Sequence, residues 1–147
     1  MKRTGMQLML LLAAVGAVSP VYASGCTVSS SGLNFGNYDV FSSMNNDVTG
    51  SIDVNCSSGL SYTIGLSSGS GTFYSRSLTN GPHVLAYNLF IDSTRLTIWG
   101  DGSSGTSTVS GSGTGSSNGT PVYGRIPSGQ NAYVGSYGDV VTIMVTF

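Results

Sequence analysis

Past the first two dozen residues the chain alternates apolar and polar positions in short runs, separated by clusters of Gly, Ser and Asn. No stretch there repeats apolar residues at i, i+3, i+4 and i+7, so the pattern predicts strands and no helix: the all-β sandwich or barrel signature. In residues 51–56, Ile52, Val54 and Cys56 share one face; in residues 61–66, Tyr62, Ile64 and Leu66 do the same. Because a strand has period two, each such face buries together while its polar partners point to water. Residues 85–91 are more evenly apolar, as expected of a strand covered on both faces. Residues 122–126 predict another strand, stopped by Pro127.

Residues 140–147 carry the strongest β propensity in the chain and reach its last residue with no charged gatekeeper. Val141, Ile143, Val145 and Phe147 line one face of that strand. A sandwich protects such a strand by pairing or covering it. Either an earlier strand pairs with it on both sides, or its exposure has a reason of its own. Residues 101–119, almost wholly Gly, Ser and Thr, read equally as a flexible loop and as a polar strand or long hairpin. Thr106, Thr108, Ser110, Ser112 and Thr114 fall on alternate positions, with Val109 on the opposite face.

The amino-terminal residues read as an address. Lys2 and Arg3 precede an apolar stretch from residue 8 to 18, Pro20 breaks it, and Val21-Tyr22-Ala23 offers a cleavage site, giving a signal peptide over 1–23 and a mature domain over 24–147. A membrane span needs about 18 or more continuous apolar residues. No segment of the mature chain supplies them, so an exported, soluble product is expected. Cys26 and Cys56 both lie in the exported part. In an oxidising compartment an isolated pair reads as a disulfide, which closes a long loop and contributes about 3.5 kcal/mol in the chain-entropy treatment.

Composition narrows the function. The chain has 147 residues, with 22 glycines and only 7% charged residues, enough for one domain with a real core. Without the signal, Arg76, Arg95 and Arg125 stand against six aspartates, a net charge of −3. That excludes the cationic surface that nucleic acid requires. His83 is the single histidine. It follows the Gly81-Pro82 turn signal, reads as an exposed loop residue, and has no strand-to-helix nucleophile elbow to serve. The dispersed aspartates lack the clustering of a calcium loop, and no cofactor motif is present. Tyr62, Tyr87 and Trp99 read first as core and second as sugar-stacking residues. The composition favours a binding or assembly protein over an enzyme, with a secreted carbohydrate-binding β-sandwich as the alternative to a structural subunit.

Several segments taken together resemble the spore coat protein U domain family, the subunit module of archaic Csu-type chaperone–usher pili. They are Gly25-Cys26-Thr27-Val28, Leu33-Asn34-Phe35-Gly36-Asn37-Tyr38, the stretch from Thr49 to Cys56, Tyr87-Asn88-Leu89-Phe90-Ile91-Asp92 with Arg95, Trp99-Gly100-Asp101-Gly102, Tyr123-Gly124-Arg125-Ile126-Pro127 with Gln130, and Gly135-Ser136-Tyr137-Gly138-Asp139 leading into the last strand. The resemblance covers essentially the whole mature chain. It implies an incomplete immunoglobulin-like β-sandwich that lacks its final strand and is completed by a donor strand. A periplasmic pilus chaperone supplies that strand first, and the amino-terminal extension of a neighbouring pilin subunit replaces it at the outer-membrane usher. Val141, Ile143, Val145 and Phe147 then form one wall of the donor-strand groove. The implied location is the cell surface, in a pilus or extracellular coat, with surface adhesion and biofilm formation as the role.

One feature departs from polymerising subunits of this type. Cleavage after Ala23 leaves only Ser24-Gly25 ahead of Cys26, and two residues reaching at most about 3.6 Å each cannot span a groove. This predicts a subunit that receives a strand without giving one: a cap, a tip, or a protein acting outside a long polymer. Cleavage after Ala17 would instead leave a short donor interrupted by Pro20.

Overall fold

A computed structural model describes residues 25–147; the expected signal peptide over 1–23 and Ser24 lie outside the described residues. Eight strands follow in order: β1 (Cys26–Ser30), β2 (Asn46–Cys56), β3 (Ser61–Leu66), β4 (Arg76–Asn80), β5 (His83–Phe90), β6 (Val109–Ser112), β7 (Ser117–Ile126) and β8 (Ile143–Thr146). They form a five-stranded sheet, β1-β2-β7-β5-β4, and a three-stranded sheet, β6-β3-β8. Every ladder between these strands is antiparallel. The architecture is an immunoglobulin-like all-β sandwich, with no helix among the described residues.

The alternating faces read from the sequence meet between the sheets. Ile52, Val54 and Cys56 of β2, Tyr62, Ile64 and Leu66 of β3, Leu85, Tyr87 and Leu89 of β5, and Val122 and Ile126 of β7 pack around Trp99. Trp99 is fully buried, and its indole Nε1–H donates to the Ile64 carbonyl at 3.0 Å, which satisfies the one polar atom that so large a core ring brings with it. The aromatics are therefore core. The Cys26–Cys56 disulfide is formed and sits on the end rung of the β1–β2 ladder, where the two residues are direct partners.

Gly124 on β7 shows how the core is finished. A Cβ there would stand 2.6 Å from Leu33 Cδ2 and 2.8 Å from Phe35 Cζ. Its bare backbone lets the β1–β2 connection lay both side chains against the inner face of the larger sheet.

The structure differs from the sequence reading in several places. The terminal strand expected over 140–147 is a ladder only over Ile143–Thr146. Residues 140–142 approach β3 through the Ser67 N–H to Thr142 carbonyl bond (3.0 Å) and the Thr142 N–H to Ser67 hydroxyl bond (2.9 Å) instead. His83 is not a loop residue: it opens β5, and its ring stacks on Tyr133 at 4.0 Å between centroids. The expected strand over 122–126 begins earlier, at Ser117, and carries Pro121 within it. Pro121 pairs with Ser51 of β2, whereas β5 joins β7 only over residues 123–125, so the missing N–H faces no second strand. Of the Gly/Ser/Thr tract, only Val109–Ser112 pairs within the smaller sheet; the chain then crosses to β7 in the other sheet, so no hairpin forms.

Candidate functional site: an open groove between two strand edges

Among the described residues four strands are sheet edges, β1 and β4 of the larger sheet and β6 and β8 of the smaller, and two of them, β1 and β8, flank an opening into the core. β8 pairs with β3 and β1 pairs with β2, and neither has a second ladder among the described residues. Val28 on β1 makes the consequence visible. Its direct partner Val54 is fully buried on the same face, yet Val28 is 43% exposed because nothing lies beside it.

A cavity of about 300 Å³ opens between the two edges. One wall is Ser30 at the end of β1, continued by Leu33 and Phe35; the other is Val141 and Ile143. Its floor is the core itself, formed by Ile52, Leu66, Leu89 and Val122. Unpaired backbone groups along both rims and apolar side chains beneath them make the geometry that an added β-strand fills. A wider cavity of about 730 Å³ adjoins it between the 33–41 and 132–139 loops, sharing Leu33, Phe35, Leu78 and Asp139 with the first.

Of the residues read from the sequence as groove wall, Val141, Ile143 and Val145 are half-buried and pack against the core. Val141 and Ile143 line the cavity directly, whereas Phe147 is 59% exposed beyond it. The intervening Thr142, Met144 and Thr146 point outward, so the face alternates with period two from 141 to 146, and Phe147, past the end of β8, departs from it.

Comparison with known proteins follows the same line. The profile described as Spore Coat Protein U domain matches residues 12–144. The chain belongs to this family. Protein U of Myxococcus xanthus is 36% identical over 131 aligned residues, which cover 78% of this chain and 71% of that protein. Among solved structures, a chain in the crystal structure of the CsuC–CsuE chaperone–tip adhesion subunit pre-assembly complex, from archaic chaperone–usher Csu pili of Acinetobacter baumannii, matches with a TM-score of 0.63. At 23% identity that likeness is one of fold; it covers 84% of this chain but only 40% of that one.

The sequence reading of this Spore Coat Protein U domain missed the polar cluster at the head of the groove. Arg76 of β4 is fully buried. It donates to the Asn88 side chain at 2.7 Å, to the Trp99 carbonyl at 2.7 Å, and to the Ser67 carbonyl at 2.8 and 3.2 Å. Burial pulls its guanidinium below the usual arginine range, with Tyr87 and Asp139 opposing. Beside it, the Tyr87 hydroxyl donates to Asp139 at 2.6 Å. Burial first, then that hydrogen bond, pushes the Tyr87 phenol well above its ordinary value. Asp139 lines both cavities. A lone Arg and a lone Asp, 63 positions apart in a Gly/Ser-rich chain, carry no local sign of this placement. On the outer face, Asp47 takes a two-pronged bond from Arg125 at 2.7 Å per arm, with Arg95 at 3.4 Å.

Proposed function

We propose that this chain is a non-enzymatic structural subunit of a chaperone–usher pilus or surface coat, assembled by donor-strand complementation. The observation that carries the reading is the open edge of β8 lying across an apolar cleft from the open edge of β1. The groove offers backbone pairing on its rims and apolar contact on its floor, a combination met by an extended segment with alternating apolar side chains. Four such side chains buried at about 1.5–3 kcal/mol each supply roughly 6–12 kcal/mol before ordering costs. That is comparable to the stability of a whole domain.

The partners in this reading are a periplasmic pilus chaperone, an outer-membrane usher and neighbouring pilin subunits, and the product reaches the cell surface through the periplasm. Family membership and the likeness of fold to a chain of the Acinetobacter baumannii chaperone–tip adhesion subunit complex support it. A tip or capping position, with surface adhesion and biofilm formation as its role, rests on cleavage after Ala23; amino-terminal sequencing of exported material tests it.

Expression with and without a cognate chaperone tests the central claim. A donor-dependent subunit accumulates as a stable one-to-one complex with the chaperone and, made without it, is recovered in low yield with its groove unfilled and its β8 edge unprotected. A cooperatively melting monomer made alone, with the β8 amides protected from hydrogen exchange on both sides, overturns the reading and favours the secreted carbohydrate-binding sandwich.

A further inference from the structure

We infer that Asp139 is a positioning residue that fixes the register of the acceptor strand, so that the groove is set before a donor arrives. The inference rests on the acceptor-groove reading above and names the residue that keeps that groove in shape.

The β3–β8 ladder is only four pairs long, from Leu66–Ile143 to Thr63–Thr146. A one-residue slip of β8 would turn its apolar face outward and is excluded by burial. A two-residue slip is different: it leaves Val141, Ile143 and Val145 on the inner face, so the apolar pattern does not resist it. Register against that slip must come from something aperiodic.

Asp139 supplies it. Its Oδ1 accepts the Ser70 N–H at 2.9 Å and the Val140 N–H at 2.8 Å, while its Oδ2 accepts the Tyr87 hydroxyl at 2.6 Å. One carboxylate thereby ties the start of the acceptor strand to the segment after β3 and to β5. The seat is shaped for it. Gly69 has φ +60°, and a Cβ there would lie 2.2 Å from Asp139 Oδ2. Below, Arg76 holds the Ser67 carbonyl with two N–H groups, and Ser67 in turn meets Thr142, so the segment that receives Asp139 is itself fastened to the core. Slipping by two residues would carry the carboxylate roughly 6.6 Å along the strand and break its bonds to Ser70 and Tyr87.

Paired cysteines read the register directly, because both native cysteines are already joined. Thr63→Cys with Thr146→Cys reports the native pairing; Thr63→Cys with Met144→Cys reports the two-residue slip. Both pairs lie on the outward face and are scored on protein exported to an oxidising periplasm, by thiol labelling of the extract. With Asp139 intact only the native pair links. Adding Asp139→Ala makes the slipped link appear at the expense of the native one, and slows capture of a synthetic peptide alternating Val and Thr at least about tenfold, since three charge-assisted bonds are lost and one alone is worth about that factor. Tyr87→Phe, which removes one hydroxyl from an otherwise unchanged ring, moves both readouts the same way by less and covers the case in which Asp139→Ala fails to fold. Native linkage alone in the Tyr87→Phe background, or in a folded Asp139→Ala background, overturns the inference. If the parent protein captures no peptide, the acceptor-groove reading falls, and the positioning role with it, whatever the cross-links show.

Discussion

Two adjacent residues on the acceptor strand separate the donor-strand account from a general effect on folding. Ile143 lines the groove and Met144 points outward, 40% exposed. Ile143→Asp places a carboxylate where a donor side chain would pack. In the open groove Ile143 is only half-buried, so the new charge still reaches water and the unfilled fold loses about 1 kcal/mol. Once a strand is inserted the same position is enclosed. The complex then loses about 1.5–3 kcal/mol of apolar burial and takes on a desolvated, unpaired carboxylate worth several kcal/mol more. A net difference of about 4 kcal/mol corresponds to roughly a thousandfold weaker capture. Met144→Asp changes the same strand by the same chemistry, faces solvent in both states, and alters capture less than about threefold. The assay is titration of each variant with a peptide of alternating Val and Thr, with chemical denaturation of the unfilled protein in parallel. Equal losses of capture for the two variants, or a larger loss for Met144→Asp, would refute the assignment of the inner face of β8 as the binding surface.

Removing the disulfide by a paired Cys26→Ala and Cys56→Ala change lowers unfolding free energy by about 3.5 kcal/mol, measured against the oxidised parent in urea; an unchanged midpoint contradicts a structural role. Arg76→Met fills similar volume but strands the acceptors on Asn88, Ser67 and Trp99, so it costs about 3–5 kcal/mol, and a neutral effect in thermal melts would show that they find other partners. The Asp47 carboxyl is held below its usual range chiefly by its hydrogen bond from Arg125. Its folded value lies below its unfolded one, so its contribution is present above about pH 4 and fades as pH falls through the folded value. The pair is about a third exposed, which limits the effect to less than about 1 kcal/mol. Asp47→Asn therefore flattens a small part of the acid limb of a stability–pH curve and leaves the neutral plateau nearly in place; an unaltered acid limb would contradict it.

What the sequence disclosed depended on how local each cause is. β3 matches the run read over 61–66 residue for residue, because Tyr62, Ile64 and Leu66 alternate without interruption. β2 runs five residues further back than its apolar alternation suggested: Asn46 to Gly50 are recruited by pairing with β7, a cause that lies some 75 residues away in the chain. β4 left no trace at all. Arg-Ser-Leu-Thr-Asn has one apolar residue, and it is a strand because β5 pairs with every position of it. The cavity wall formed by Val141 and Ile143 was visible because the same alternation that builds a core strand was left with nothing to cover it. Leu33, Phe35 and Asp139, which complete the groove, come from connections whose placement depends on tertiary contacts such as the bare backbone at Gly124.

The two groove walls share a problem that explains their fastenings. A strand paired on one side only has half the ladder bonds of an interior strand, and the sheet holding β8 has just three members, near the lower limit for independent stability. Each wall is therefore anchored by something other than sheet pairing. β1 is bound to β2 by the Cys26–Cys56 disulfide at one end of its ladder. The approach to β8 is bound by the carboxylate of Asp139 and by the Ser67–Thr142 bonds, which lean on the buried Arg76. Covalent and polar anchors leave the remaining edge N–H and C=O groups free, whereas a ninth strand of the same chain would consume them. Edges held apart and unpaired are what the proposed donor-strand assembly requires of this fold.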